Sequence, residues 1–156
     1  MERHTDCRTL SVAFTGPLAD RLAIRELIDA YADAVMVRDA DAWAATWAED
    51  AYWSLPEFPD HEEFVGRAAI RAGWLMSMQR YASMTDFSIP MIYSAFPAAI
   101  VVQGDHATAR VFTSEIYRDP ADGREHRVRG RYDDEIALID GCWLFTRRVY
   151  RTIHVD

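Results

Sequence analysis

The chain contains no lysine, because all 17 of its basic residues are arginine. Without a lysine amine, a protein cannot form a Schiff base with a carbonyl substrate or hold pyridoxal phosphate covalently. Two cysteines, Cys7 and Cys142, are too few for a disulfide framework or a cysteine-based zinc site. No apolar run approaches the roughly 18 residues that span a bilayer, and the first residues lack the apolar core of a secretory signal. We therefore expect a cytoplasmic protein without a membrane partner.

Several short motifs are also missing. The sequence has no phosphate-binding loop, no dinucleotide fingerprint, no HExxH helix and no GxSxG turn. Its five histidines are scattered without the spacing of a metal site, so we expect neither a metal nor a cofactor. A net charge of −8 and a pI near 5.0 argue against a nucleic-acid partner.

What the chain does have is enough apolar residues for a core. Of its 156 residues, 50% are hydrophobic and 12% are aromatic, which excludes a disordered chain and indicates one folded domain. Residues 1–17 are predicted to form a flexible tail that ends at Gly16-Pro17. Residues 18–156 then form the domain.

The first half of the domain has helical periodicity. A long amphipathic helix is predicted from Leu18 to about Arg38. A second, short helix is predicted with Asp41 as its N-cap, running through Ala48 and carrying Trp43 and Trp47. The alternation then predicts a strand at Ala51–Leu55 and a third helix at Glu62–Tyr81.

From Ser88 onward the periodicity changes to two, which is typical of strands. Hairpin turns are predicted at Gly104-Asp105 and Asp140-Gly141. Three helices followed by a meandering sheet predict an α+β domain, in which the helices pack on a strongly curved mixed or antiparallel sheet and enclose a pocket. The predicted strands are Ile92–Gln103, Ala107–Arg118, His126–Leu138 and Cys142–Ile153.

One strand face carries an unexpected acid. Ala107, Ala109 and Val111 share a face with Glu115, so the Glu115 carboxylate is predicted to project toward the interior. A buried carboxylate needs a partner or a raised pKa. Two interpretations stay open: a structural ion pair with an arginine on a neighbouring strand, such as Arg148, or a general base or acid in a dry pocket.

Arginines dominate the last two strands. Those at positions 124, 127, 129 and 131 alternate with smaller or apolar residues, which favours an exposed sheet face or a subunit interface. On the last strand, the alternation predicts Arg148 and Tyr150 on one side and Phe145 and Arg147 on the other. His154 either frays at the terminus or folds back over the pocket.

The domain resembles the SnoaL-like branch of the NTF2-like superfamily over roughly Leu18 to His154. The segments that carry the resemblance are Ala23–Trp53, with Trp47-Ala48-Glu49-Asp50-Ala51 inside it, and the turn Asp140-Gly141-Cys142-Trp143. The first of these is similar to the hexachlorocyclohexane dehydrochlorinases, and Glu62-Glu63-Phe64-Val65-Gly66 is similar to the scytalone dehydratases. The resemblance implies a cone-shaped fold with a deep pocket, usually in a homodimer or homotrimer.

The resemblance also implies where chemistry occurs. Lyases of this family use an aspartate near the end of the first helix and a histidine on the first long strand, and these positions fall on Met36 and Tyr93. The base of the related ketosteroid isomerases would fall on Leu55. Arg148 occupies the place of an active-site arginine, and Tyr132 that of a polar pocket residue. The pocket is retained, whereas the usual pair of acid and base is not.

The preferred hypothesis is a cofactor-independent lyase acting on a small hydrophobic or aromatic compound. Its candidate catalytic residues are Glu115 or His154 as base, Tyr93 and Tyr132 as hydrogen-bonding acids, and Arg148 to stabilise negative charge. The candidate substrate-binding residues are Tyr31, Met36, Trp53, Leu55 and Trp74, whose aromatic members could equally be core.

Three alternatives remain. The chain could be a binding protein that kept the pocket without the chemistry, the small subunit of a ring-hydroxylating dioxygenase, or an isomerase or cyclase of the same fold.

Overall fold

A computed structural model describes residues 13–58, 63–79, 91–119 and 121–156. Within these residues the chain forms three helices and one seven-stranded sheet. The helices come first, as the periodicity predicts, and the four long strands follow. The predicted α+β class is confirmed.

Helix α1 (Leu18–Val37) begins after Pro17 and ends at Arg38, whose φ of 62° closes it in the left-handed conformation. Pro17 suits a helix start because its fixed φ is compatible with the first turn and it has no N–H to satisfy. One stripe of the helix is buried at helical spacing, from Ile24 through Ile28 and Tyr31 to Val35. This stripe covers the inner face of the sheet.

Helix α2 (Ala40–Ala45) is capped by Asp39, whose carboxylate accepts hydrogen bonds from the backbone N–H groups of Asp41 and Ala42. The prediction of Asp41 as the cap is therefore wrong by two residues. The Asp41 carboxylate instead accepts hydrogen bonds from Arg71, at 2.8 Å for the shorter one.

Strand β2 (Trp47–Ser54) begins four residues earlier than predicted, so Trp47 belongs to the sheet and not to α2. The helix closes at Thr46, whose hydroxyl donates to the Trp43 carbonyl at 2.7 Å. Trp47 and Ala48 are both buried and Glu49 and Asp50 are both exposed. This irregular order hides the period of two that identifies a strand.

Helix α3 (Arg67–Gln79) begins later than the predicted Glu62, because Phe64 and Val65 form a short strand, β3 (Phe64–Val65), that pairs antiparallel with β2. The predicted helix start at Glu62 and its end at Tyr81 lie outside the described residues.

The remaining strands are β1 (Phe14–Thr15), β4 (Met91–Gln103), β5 (His106–Arg118), β6 (Glu125–Ile139) and β7 (Cys142–Val155). The sheet is mixed, in the order β1-β4-β5-β6-β7-β2-β3. Strands β4 to β7 form an antiparallel meander, with both predicted hairpin turns in place, while β1 pairs parallel to β4 and β2 parallel to β7. Strand β1 lies inside the predicted tail, whose residues 1–12 are outside the described residues.

The core lies between the helices and the inner face of the sheet, where α1 packs on β4 and β7 and α3 packs on β2. It is rich in aromatic rings: Trp43 stacks on Trp74 with centroids 5.1 Å apart, and Tyr31 contacts Trp47 edge-on at 6.1 Å. The described helices include none long and apolar enough to cross a membrane. The arginines of β6 at positions 127 and 129 are exposed, as the alternation predicts.

Candidate active site

A cavity of about 180 Å³ lies between α1, α3 and the inner face of the sheet. Its volume is below the roughly 300–1,000 Å³ of pockets for drug-sized ligands, and is comparable with the ~150 Å³ cavity that holds benzene. The apolar lining consists of Val35, Trp53, Leu55, Phe58, Trp74, Met78, Met91 and Val128. The polar lining consists of Tyr31, Ser77, Tyr93, Glu115, Tyr117, Tyr132 and Tyr150.

Glu115 is the acid of this lining. Unbroken alternation along β5 carries its side chain inward, opposite Tyr93 on β4 and Val128 on β6. Its Oε1 accepts hydrogen bonds from the Tyr150 hydroxyl at 3.2 Å and the Thr113 hydroxyl at 3.3 Å. Burial raises the pKa of Glu115 to about 7, against the lowering effect of these two hydrogen bonds. Glu115 therefore changes charge near neutral pH.

Arg148 pairs with a different acid from the one proposed. It is fully buried and donates from Nε and Nη2 to the two carboxylate oxygens of Asp134, at 2.9 and 3.1 Å. The interpretation of Glu115 as the ion-pair partner of Arg148 is therefore wrong. Burial raises the pKa of Asp134, an effect that the Arg148 guanidinium opposes.

The Arg148 guanidinium lies behind the cavity and does not line it. Its Cζ is 4.2 Å from the ring centroid of Tyr31 and 4.1 Å from those of Tyr132 and Phe145. Phe145 shares this side because a register shift between β6 and β7 interrupts the alternation, so the predicted separation of Phe145 from Arg148 is wrong. The rings of Tyr31 and Tyr132 therefore lie between the Arg148 guanidinium and the cavity, because they contact the guanidinium and also line the cavity.

Four tyrosine hydroxyls have pKa values above the ordinary range. Burial is the main cause for Tyr31, Tyr93, Tyr132 and Tyr150 alike. All four are neutral hydrogen-bond donors at physiological pH. The Tyr93 hydroxyl is buried and has no hydrogen-bond partner among the described residues, which is costly unless a ligand or solvent atom supplies one.

Besides Arg148, two more predicted site residues lie outside the cavity. His154 is exposed near the end of β7, where its ring contacts Asp156, so it does not fold over the pocket. Met36 packs behind Tyr93, where its Sδ accepts from the Tyr93 backbone N–H at 3.0 Å. The predictions that these side chains form part of the pocket are therefore not supported by their positions.

The cavity brings the other predicted residues together: Tyr31, Leu55, Trp53, Trp74, Tyr93, Glu115 and Tyr132. Sequence reasoning missed Tyr150, although it placed this residue on the same face as the inward-pointing Arg148. It also missed Tyr117, which shares a strand face with Glu115, and Met78, which shares a helix face with Trp74. For Phe58 and Ser77, which line the cavity too, the pattern carries no comparable signal.

The arrangement provides three chemical elements in one apolar enclosure. Glu115 can accept a proton near pH 7, neutral phenols can donate hydrogen bonds to a developing oxyanion, and aromatic walls can hold a flat ligand. Such a site can remove a proton from a carbon next to a carbonyl group.

Comparisons with known proteins agree with this architecture. A family model described as a SnoaL-like domain matches residues 16–149, whereas the comparison with curated proteins gives no match. A candidate aromatic ring hydroxylase from Novosphingobium aromaticivorans is 27% identical, with a TM-score of 0.74, and the match covers 91% of this chain and 95% of that one.

Two further solved structures share the fold at lower identity. A candidate scytalone dehydratase from Novosphingobium aromaticivorans is 23% identical, with a TM-score of 0.74 over 89% of this chain and 87% of the other. A hexachlorocyclohexane dehydrochlorinase from Novosphingobium barchaimii is 18% identical, with a TM-score of 0.75 over 89% of this chain and 90% of the other.

Proposed function

We propose that this chain, which belongs to the SnoaL-like domain family, is a cofactor-independent lyase that eliminates a small leaving group from a hydrophobic or aromatic compound. One observation carries the proposal. Glu115, with a pKa of about 7, lines an apolar cavity and is the cross-strand partner of Tyr93 on the adjacent strand β4. The buried Tyr93 hydroxyl has no hydrogen-bond partner among the described residues. A base beside an unsatisfied donor suits the formation of an enolate.

The reaction we propose begins with the Glu115 carboxylate removing a proton from the carbon next to a substrate carbonyl. The electron pair of the C–H bond forms the enolate, whose oxygen accepts hydrogen bonds from Tyr93 and Tyr132. As the carbonyl re-forms, the bond from the adjacent carbon to a hydroxyl group breaks. Protonated Glu115 gives its proton to that departing oxygen, so that water leaves, an alkene forms and the enzyme returns to its starting state.

Arg148 supports this chemistry electrostatically. Its guanidinium lies against the rings of Tyr31 and Tyr132 and opposes the rise in their pKa values that burial causes. A positive charge behind these phenols strengthens them as donors to a developing oxyanion. Asp134 holds the guanidinium in place through two hydrogen bonds.

The test separates proton abstraction from the identity of the leaving group. 2-Tetralone is a small bicyclic ketone whose C1 protons are acidified by both the carbonyl and the ring, and its exchange in D₂O is followed by NMR. We expect the wild type to accelerate this exchange and Glu115→Gln to lower the rate at least a hundredfold. Glu135→Gln, at an exposed position on β6, is the matched control. Equal rates for the wild type and Glu115→Gln would exclude Glu115 as the base.

Elimination itself is then tested with β-hydroxy ketones that carry one aromatic ring, by the ultraviolet absorbance of the conjugated product. Exchange of 2-tetralone without any elimination would instead favour an isomerase or cyclase. Binding of 2-tetralone without exchange would favour a binding protein, which Met36 and Tyr93 in place of the family's aspartate and histidine also support.

A second candidate function is the small subunit of a ring-hydroxylating dioxygenase. The observation in its favour is the 27% identity with the candidate aromatic ring hydroxylase. Purification from the native source distinguishes the two functions. A subunit co-elutes with a larger iron-containing chain, whereas we expect the lyase to elute alone as a homodimer or homotrimer.

A further inference from the structure

Gly130 on β6 provides the space in which the Tyr150 ring of β7 lies. A Cβ atom at position 130 would lie 2.1 Å from both Cζ and Oη of Tyr150, a distance that real Cβ atoms do not reach. Five other glycines of the chain have a positive φ, a backbone conformation that favours glycine, but Gly130 does not. The requirement for glycine here is therefore the space for Tyr150 and not the backbone conformation.

The Tyr150 ring is held from its sides as well. The Tyr132 ring meets it edge-on with centroids 4.9 Å apart, and the Phe58 ring lies 5.9 Å away. Tyr150 is 2% exposed. A ring enclosed on three sides in this way has little rotamer freedom, so its hydroxyl oxygen is fixed in space.

This fixed hydroxyl meets one atom of the Glu115 carboxylate. Tyr150 donates to Oε1 at 3.2 Å, and Thr113, 3.3 Å from the same phenol oxygen, donates to Oε1 as well. The hydrogen bonds that the described residues make to Glu115 all end on Oε1. The second oxygen, Oε2, takes part in none of them.

We propose that Tyr150, lying against Gly130, is a positioning residue that anchors Glu115 by Oε1 and leaves Oε2 for the substrate proton. The inference rests on the proposed function, in which Glu115 is the base. It assigns a purpose to two residues of the same site that the proposed reaction does not use. Anchoring one oxygen sets the direction of the other, which a base needs for attack on a particular C–H bond.

The anchor also affects the charge state of Glu115, because a hydrogen bond donated to a carboxylate favours its ionised form. Removing the phenol hydroxyl should therefore make Glu115 harder to ionise. The ionisable groups of the described chain that line the cavity or are buried behind it are Tyr31 of α1, Tyr93 of β4, Tyr117 of β5, Tyr132 and Asp134 of β6, and Arg148 and Tyr150 of β7.

The test measures the ionisation of Glu115 without substrate, by ¹³C NMR of protein labelled at the glutamate side-chain carboxyl carbon, with Glu115→Gln to assign the signal. We expect a midpoint near pH 7 in the wild type, and a midpoint about one pH unit higher in Tyr150→Phe. Gly130→Ala should raise the midpoint too, because the added methyl displaces the ring. Tyr93→Phe is the control, since Tyr93 donates no hydrogen bond to Glu115 among those described, and its midpoint should stay within a few tenths of the wild-type value.

A Tyr150→Phe midpoint equal to that of the wild type would overturn the inference, whatever Gly130→Ala does. The exchange assay then separates this result from the proposed function. If Tyr150→Phe raises the midpoint but Glu115→Gln exchanges 2-tetralone as fast as the wild type, the anchor exists and the lyase proposal fails. If Tyr150→Phe raises the midpoint and Glu115→Gln also loses the exchange activity, the pH profile of kcat for exchange in Tyr150→Phe should move to higher pH together with the NMR midpoint. The KM of this variant should change less than threefold.

Discussion

The buried pair of Asp134 and Arg148 allows the sharpest test of the structure. Both side chains are 0% exposed, and two hydrogen bonds of 2.9 and 3.1 Å join them. In Asp134→Asn the side chain keeps its shape but loses its charge. The guanidinium then stays buried between the rings of Tyr31, Tyr132 and Phe145 without a counter-charge.

Removing one partner of a buried ion pair costs roughly 3–5 kcal/mol, because the remaining charge is uncompensated. The aromatic faces around Arg148 attract the cation, and the asparagine carbonyl can still accept one hydrogen bond, so we expect the lower end, about 3 kcal/mol. The adjacent residue provides a matched control. Asp133 pairs with Arg131 at 2.8 Å, but its side chain is 48% exposed, and an exposed pair contributes only about 0.2–1 kcal/mol.

Urea denaturation measures both variants. With an m-value of roughly 2 kcal/mol/M, Asp134→Asn should lower the unfolding midpoint by about 1.5 M and Asp133→Asn by less than 0.5 M. The double variant Asp134→Leu/Arg148→Met removes both charges and should recover most of the loss, since apolar replacement of a buried pair is often neutral. Equal midpoints for the two single variants would refute the assignment of Asp134 and Arg148 to the interior.

Three further predictions concern stability. Because burial raises the pKa of Glu115 from 4.5 to about 7, the folded protein retains a proton between these pH values that the unfolded chain has released. The stability of the wild type relative to Glu115→Gln should therefore fall by about 2–3 kcal/mol between pH 4.5 and 7, and should stay level below pH 4.5. Urea titrations that give the same difference in stability at every pH would contradict this. In Gly73→Ala the added Cβ would lie 2.3 Å from the Phe64 ring, so thermal unfolding should show a loss of roughly 1–3 kcal/mol, which Phe64→Leu in the same chain should partly relieve. Asp39→Ala removes the N-cap of α2 and should cost about 1 kcal/mol in urea, whereas Asp41→Ala, at the position that the sequence suggests, should cost clearly less.

The sequence predicts the structure well where one periodicity continues without a break. Strand β5 pairs with β6 from His106 to Arg118 without a register shift, so counting in twos along the strand is enough to place Glu115 inward. The same is true of α1, whose buried stripe follows from its spacing. In both elements the local pattern and the tertiary structure agree.

Prediction fails where a bulge changes the count. The shift opposite Glu135 and Ile136 puts Phe145 on the same side as Arg148, and a shift between Trp47 and Tyr52 makes the start of β2 look helical. Neither of these register shifts is marked by a glycine or a proline in the sequence. Such shifts depend on how the strands pair across the sheet, which a single sequence does not record.

The ion-pair partner of Arg148, however, can be predicted from the sequence. Counting in twos along β6 from the inward-facing Tyr132 places Asp134 on the same face as Tyr132. Two carboxylates, those of Asp134 and Glu115, therefore point into an interior in which Arg148 is the one buried basic residue of the described part of the chain. One of the two acids must then lack a counter-charge, and its pKa must rise. Strand register decides which: Asp134 is the direct cross-strand partner of Arg148, while Glu115 faces Tyr93. The same pairing that stabilises the core therefore leaves Glu115 as the acid that changes charge near neutral pH.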